Sequence, residues 1–573
     1  MNLRNAVPTA FCLLLCSLPI PLALGQHSVD AVRRDKTYCN PIDLPYRFQL
    51  ESPSRREAAD PTMIGFRGEY WLFPSKSGGY FHSPDLMHWS FVEAHGYPVE
   101  HYAPTALVMN DKIYLTSGDG TTKVYVTDNP LSGNWTVAGD LGTGYGDPDL
   151  FLDDERLYMY DGVSGKDVLR ATELDPHTFQ KLRQVEIPQS RSKETRGWEV
   201  PGDTNNSSQA DSWIEGSWMN KHDGTYYLQY SGPGTQFKTY GDGVLTSKNP
   251  MGPFTYAPYS PFSFKPTGFI SGAGHSSTFA AQDGRFWHIS TMTISVRHMF
   301  ERRLGLFPSH FTKDGELATD TYLGDYPHYI DGDRGLVGWM LLSRKKGVTA
   351  SSALEGHEAE KAVDEDVRTW WSAKTGDAGE WFQIDLGGAK TVEALQINFA
   401  DEGSTALGRS TDAYQYVLEV SSDAKSWHTA VDHSQTGKDS PDDYEVLPQS
   451  IRARYVRIRN IHSPNGAKFS LSGLRVFGKG TTRLPNRVES IQAERDSSDP
   501  RRATVHWRPA ERTEFYIVRI GTTPNELTQN YQVYDGATSL DVHSLNSGVR
   551  YYVLIDAVNE SGIVRGTTTI SLR

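Results

Sequence analysis

Between Gly68 and Ser290 the apolar positions gather into short aromatic-rich runs, each opened by a glycine or acidic corner. Five such runs recur: Glu69-Tyr70-Trp71-Leu72-Phe73, Lys112-Ile113-Tyr114-Leu115, Arg156-Leu157-Tyr158-Met159-Tyr160, Thr225-Tyr226-Tyr227-Leu228 and Arg285-Phe286-Trp287-His288-Ile289. Runs of this length and composition predict strands, and their recurrence predicts a radially repeated architecture. Four runs are followed by an Asn, Asp or Pro turn and then an aromatic (Trp89, Trp135, Phe179, Phe254), placed to pack between repeats. The expectation is a β-propeller of five small antiparallel sheets, with the aromatic run as the second strand of each.

Eleven residues before Trp71 stands Asp60, eleven before Tyr158 stands Asp147, and twelve before Tyr227 stands Glu215. A residue heading the innermost strand of a blade faces the central axis, so equivalent places in three repeats bring three carboxylates together. Asp60-Pro61 and Asp147-Pro148 taken singly are turn signals; two at matched positions, with a matched Glu, favour catalysis. Asp149 is the competitor of Asp147, which is preferred on spacing.

Set in Ala59-Asp60-Pro61, Gly146-Asp147-Pro148-Asp149 and Trp213-Ile214-Glu215-Gly216, the three acids resemble the motifs of glycoside hydrolase family 43. The resemblance implies a general base at Asp60, a helper acid at Asp147 and a general acid at Glu215. Gly272-Ala273-Gly274-His275-Ser276 is similar to that family's axial histidine motif, and His101-Tyr102-Ala103-Pro104-Thr105 to its aromatic-Ala-Pro segment, with Thr105 where an Asp is common. Inverting hydrolysis needs a neutral acid on one face of the sugar and an ionised carboxylate on the other, and opposite sides of a channel supply that gap. Apolar walls such as Trp213 and Trp218, with an ionised Asp147 nearby, would keep Glu215 protonated. Trp213, Trp218, Phe237 and His101-Tyr102 are sugar-stacking walls or blade packing. His275 faces substrate or an ion, or is a buried structural residue. Arg303, or its neighbour Arg302, binds a substrate hydroxyl or lies at the surface, and Glu199, Asp203 and Asp211 decorate a loop.

Beyond Lys346 the texture changes. Ala362-Val363-Asp364, Thr369-Trp370-Trp371-Ser372, Glu380-Trp381-Phe382-Gln383-Ile384-Asp385-Leu386-Gly387 and Tyr455-Val456-Arg457-Ile458 resemble a discoidin-like jelly roll, the coagulation-factor type C and family 32 carbohydrate-binding fold, without its bracketing cysteines. The last segment alternates with period two around Trp507, Phe515–Ile520 and Tyr551–Ala557, and resembles a fibronectin type III sandwich whose expected role is spacing. The chain therefore reads as all-β: a signal peptide over 1–25, a five-bladed propeller over 26–340, a discoidin-like domain over 345–478 and a fibronectin-like domain over 485–573. All the proposed acids precede Ile330, so a chain ended at about Leu341 is expected to keep hydrolysing small substrates.

Arg4, the apolar run Ala10–Cys16 and Ala23-Leu24-Gly25 read as a cleavable secretion signal, and no later stretch is apolar enough to span a membrane. Removing the signal leaves Cys39 alone, which excludes an intrachain disulfide and makes the sequons at Asn134, Asn205, Asn206 and Asn559 accidental in a bacterial export setting. A net charge of −13 without a basic stripe argues against nucleic acid. The expectation is an exported, monomeric, exo-acting glycosidase releasing an arabinofuranosyl, xylosyl or galactosyl end from a plant or algal glycan. It requires no cofactor; a structural calcium is implied by resemblance only. Two alternatives stand: a retaining invertase-type fructosidase, disfavoured by Ala59 and Gly216, and an inert glycan-binding protein.

Overall fold

Each aromatic run is the second strand of its own antiparallel sheet in the computed structural model, which describes residues 33–163, 168–188, 193–207, 211–331 and 335–572. The signal-like stretch 1–25 lies outside the described residues. Blade one is Thr62–Phe66, Glu69–Phe73, Gly79–Ser83 and Ser90–Glu93; the later blades open with Thr105–Met109, Asp149–Asp153, Glu215–His222 and Ser271–Ala280. The post-turn aromatics fill the seams: Trp135 meets Tyr80 of the preceding blade edge-on at 5.8 Å, Phe179 lies 5.6 Å from Tyr114, and Phe254 lies 6.5 Å from Tyr160.

The segment before blade one closes the ring. Thr37–Tyr38 pairs with His328–Tyr329. The Asn40 side chain donates to Leu306 and Gly324 carbonyls at 2.9 and 2.8 Å and accepts the Leu306 amide at 2.9 Å. Cys39 is buried there, and burial pushes its thiol up to about 12, so it fills space and is no nucleophile.

Seven strands of residues 347–479 and Met340–Leu341 build an eight-stranded arrangement, in which the long strands Trp381–Phe399 and Asp442–His462 pair over a core holding Trp371, Phe382, Leu418, Ile458 and Leu474. The last domain sets the sheet of Gln492–Arg495, Ala503–His506 and Ser539–Val542 against one built on Gln529–Val533, Phe515–Gly521 and Tyr551–Asn559, with Trp507, Val518 and Ile555 between them.

Spacing is not what this last domain does. Residues Arg34–Arg573 form one compact unit. Phe264 of the propeller belongs to the last domain's core cluster, and the Asn546 side-chain amide donates to the Pro258 and Ser260 carbonyls at 3.0 and 2.6 Å. The discoidin-like domain is tied in through charge: Arg56 meets Asp401 at 3.0 Å and Asp439 at 2.8 Å, and Arg303 meets Asp442 at 3.0 Å. All three domains touch Asp325, where Lys265 lies 3.3 Å away, the Gln532 amide donates at 3.0 Å, and Arg475 stands at 3.9 Å. Burial would raise the Asp325 carboxyl, but Lys265 and Arg475 outweigh it and hold the group below the usual range. Asn205 and Asn559 are buried with their amides spent on backbone carbonyls, which fits sequons that carry no glycan. Among the described residues no helix is long and apolar enough to cross a membrane.

Candidate active site

The chain delivers each acid at the mouth end of an inner strand. Asp60 stands two residues before Thr62–Phe66, Asp147 two before Asp149–Asp153, and Glu215 is the first residue of Glu215–His222. Asp60, Asp147 and His275 all have left-handed backbones, with φ of 49°, 46° and 42°. At Gly216 the register with the next strand slips by one residue, φ is 68°, and a Cβ would come within 2.9 Å of the His275 ring. Only glycine permits both the turn and the contact.

His275 binds the set together. Its Nδ1 lies 3.2 Å from Asp60 Oδ1 and 3.7 Å from Asp147 Oδ2, and its backbone amide donates to Ser231 Oγ at 2.7 Å and to Asp242 Oδ1 at 3.1 Å. Asp60 accepts from Arg302 Nη1 at 3.0 Å and Ser75 Oγ at 2.7 Å, and its amide donates to Thr291 Oγ1 at 2.9 Å. The second amine of Arg302 is held by Glu57 at 2.7 Å. Glu215 accepts from the Tyr240 hydroxyl at 2.5 Å.

These surroundings split the acids. Burial pushes the Asp60 carboxyl up, but Arg302, His275 and Ser75 together outweigh it and hold the group below its ordinary value. Glu215 goes the other way: burial raises it and the charge of Asp60 adds to that, against partial relief from His275 and Tyr240. Asp147 is itself pushed up to about 7, first by burial, then by Glu215 and Asp60, with His275 and the Gly216 amide opposing. Both carboxyls are thus raised, the charge of Glu215 adding to the rise at Asp147, rather than Asp147 acting as a fixed anion. His275 loses by burial but is raised above its usual value by Asp60, Asp147 and Glu215.

The acids form the floor of a cavity of about 410 Å3 walled by Tyr102, Asp119, Trp213, Phe237, Met299 and Phe300. Asp60 and Glu215 are only 5% and 9% exposed, while Trp213 at the rim is 46% exposed. Of the residues singled out from sequence, Asp60, Asp147, Glu215, His275, Trp213 and Tyr102 converge here. Trp218 does not: it lies farther along its strand and donates its indole N–H to the Thr278 carbonyl at 2.9 Å, bracing two blades. Arg303 does not either. Strand alternation sends Arg302 to the pocket and turns Arg303 outward to Asp442 of the discoidin-like domain and to the Arg56 carbonyl at 2.7 Å. Asp149 is buried away from the pocket, accepting the Met219 amide at 2.7 Å. Glu199 is no loop decoration but a buried acceptor of the Tyr230 hydroxyl at 2.7 Å. Asp211 lines the pocket, and Asp203 caps the Lys238 amide at 2.8 Å.

Sequence reasoning missed Tyr240, Glu57, Ser75 and Asp119, none of which lies in a repeated phrase. For Arg302 over Arg303 the signal existed in strand parity. A calcium is implied by resemblance at the axis or in the discoidin-like domain. At the axis the carboxylates of Asp60 and Asp147 face the His275 imidazole, and Asp60 also faces the Arg302 guanidinium. Among the described residues, the close-set ligand group His433, Asp443 and Glu445 is already filled by the Lys438 ammonium at 2.7 and 2.8 Å from the two carboxylates.

Comparison with known proteins adds the following. Residues 54–317 match Glycosyl hydrolases family 43, and residues 347–473 match the F5/8 type C domain. The chain is 25% identical over 269 residues to the beta-D-galactofuranosidase xynD of Aspergillus niger, covering 40% of this chain and 72% of the relative. It is 24% identical over 394 residues to the non-reducing end alpha-L-arabinofuranosidase BoGH43B of Bacteroides ovatus, covering 62% and 67%. Among solved structures, the Bacteroides ovatus xyloglucan PUL GH43B aligns over 94% of this chain and 92% of its own at 14% identity, with a TM-score of 0.42.

Proposed function

Because the chain is a glycosidase carrying a family 43 glycosyl hydrolase domain and an F5/8 type C domain, we propose that it is an exported, inverting exo-furanosidase that removes a terminal arabinofuranosyl or galactofuranosyl residue from a glycan. One observation carries the reading: acids from three blades meet around His275 in one cavity, with the Asp60 carboxyl held below its ordinary value and that of Glu215 raised above it. Environments that push paired carboxyls apart assign base and acid. Acids this deeply sunk reach only a chain end that enters head first, which supports exo action. The two curated relatives act on furanosides, which supports the sugar class. Export rests on the apolar pattern of residues 1–25.

In this mechanism Asp60 takes a proton from the attacking water as its oxygen bonds to the anomeric carbon. Glu215 gives its proton to the glycosidic oxygen as that bond breaks. Asp60 then returns its proton to solvent and Glu215 is reprotonated, so no cofactor is called for in the step. Asp147 and His275 set the charge around both. Proton NMR of the first product, taken before mutarotation on a para-nitrophenyl furanoside, tests the scheme: the inverted anomer is expected, and a retained anomer would overturn it.

The pH profile follows with a definite sign. Activity requires Asp60 ionised, so the acid limb should lie below the ordinary carboxylate range. It also requires the Glu215 proton, which is lost as pH rises through the raised Glu215 carboxyl, so the alkaline limb should lie above the ordinary carboxylate range. Asp147→Asn removes one negative neighbour of Glu215 and should move the alkaline limb of kcat/KM to lower pH. A limb that stays in place would detach Asp147 from the titration.

A further inference from the structure

Two loops frame the pocket mouth, and both are held by the F5/8 type C domain. The first spans residues 233–240 and brings Gln236 and Phe237 to the cavity. Arg368 of the second domain donates to the Gln236 carbonyl at 3.2 Å and to Asp203 at 2.7 Å. Asp203 caps the Lys238 amide, and the Lys238 ammonium reaches Asp366 at 3.3 Å. The second loop spans residues 294–301 and brings Met299 and Phe300 to the opposite rim. Its Arg297 donates to the Ala400 carbonyl and lies over the Trp370 ring at 5.2 Å. Between the two loops the Val367 amide donates to the Phe269 carbonyl at 3.0 Å, and its side chain joins Ala273 and Ile294 in one apolar cluster.

We infer that the Asp366–Trp370 segment of the F5/8 type C domain is a positioning element of the catalytic pocket, fixing the two rim loops that receive the leaving-group side of the substrate. The inference rests on the proposed reaction for its substrate and on geometry alone for the clamp. The floor takes the terminal sugar, so whatever remains at the rim belongs to the leaving group. A rim loop fixed beforehand spares the ordering cost that substrate would otherwise bear. The Arg368 side chain is 19% exposed, so its loss leaves the cores intact.

In Arg368→Ala, KM for a furanosyl oligosaccharide should rise about tenfold while kcat changes less than about threefold, and KM for a para-nitrophenyl furanoside should rise far less. Amide hydrogen exchange reads the clamp without substrate: segments 233–240 and 294–301 should exchange about tenfold faster than in the unaltered protein, with partial recovery in Arg368→Lys. Trp370→Ala should loosen 294–301 more than 233–240. An oligosaccharide KM that stays put, an equal loss on both substrates, or unaltered exchange overturns the inference. If the unaltered protein hydrolyses no furanoside, the proposed reaction fails, while the exchange measurement still decides the clamp.

Discussion

Glu215→Gln should lower kcat/KM on a furanoside with a sugar leaving group by about a thousandfold, yet keep most of the rate on a dinitrophenyl furanoside, because only the poor leaving group needs a proton. The substitution isolates the proton from the fold. An amide carbonyl at this place still accepts from Tyr240, and no buried charge is stranded. Steady-state kinetics on the two substrates decides the matter. Equal losses on both would make Glu215 something other than the donor and would return the acid role to Asp147, the other member of the raised pair.

A chain ended at Leu341 should yield no folded, active propeller. This reverses the expectation from sequence, which rested on where the acids lie and not on what supports them. The cut would expose Phe264, Phe269 and Tyr326, each at most 1% exposed and packed on Tyr531, Arg475 and Phe477 respectively. Leaving three such side chains in water costs about 5–9 kcal/mol, which rivals the whole stability of a domain. It would also strip Arg56 and Arg303 of the acids that hold them. Size-exclusion chromatography and aryl furanoside assays give the readout. A soluble monomer with the full-length kcat would show the interfaces to be dispensable, whereas recovery of activity when residues 342–573 are supplied in trans would locate the need in those contacts.

The propeller was legible because its repeats share a spacing, and a spacing survives in a single sequence. The same spacing placed Asp60, Asp147 and Glu215 at strand heads, and of Asp147 and Asp149 it is Asp147 that lines the pocket. What could not be read were partners joined only by tertiary contact: Tyr240 on Glu215, Glu57 behind Arg302, Asp442 on Arg303. Trp218 misled because an aromatic three residues from an acid looks close along the chain, while a strand carries it down the channel. The domain texture was clear and the domain contacts were not, since buried ion pairs between distant segments, such as Arg56 with Asp401, leave no periodic trace.

The left-handed backbones of Asp60, Asp147 and His275 bear on how this enzyme could change over generations. Each such conformation costs a non-glycine residue on the order of 1–3 kcal/mol, and the surrounding structure holds it in place. Two buried carboxyls that repel one another add to the load. A glycine or asparagine arriving at Asp147 would relieve both the backbone strain and the carboxyl repulsion, so weakening of the chemistry there runs downhill in stability, whereas at Asp60 the same change would strand Arg302. Selection for activity would then be the force that keeps Asp147 acidic. Released from it, a lineage should drift through Asp147 without any folding barrier toward a sturdier, less active protein of the same shape that still offers its aromatic walls to sugar.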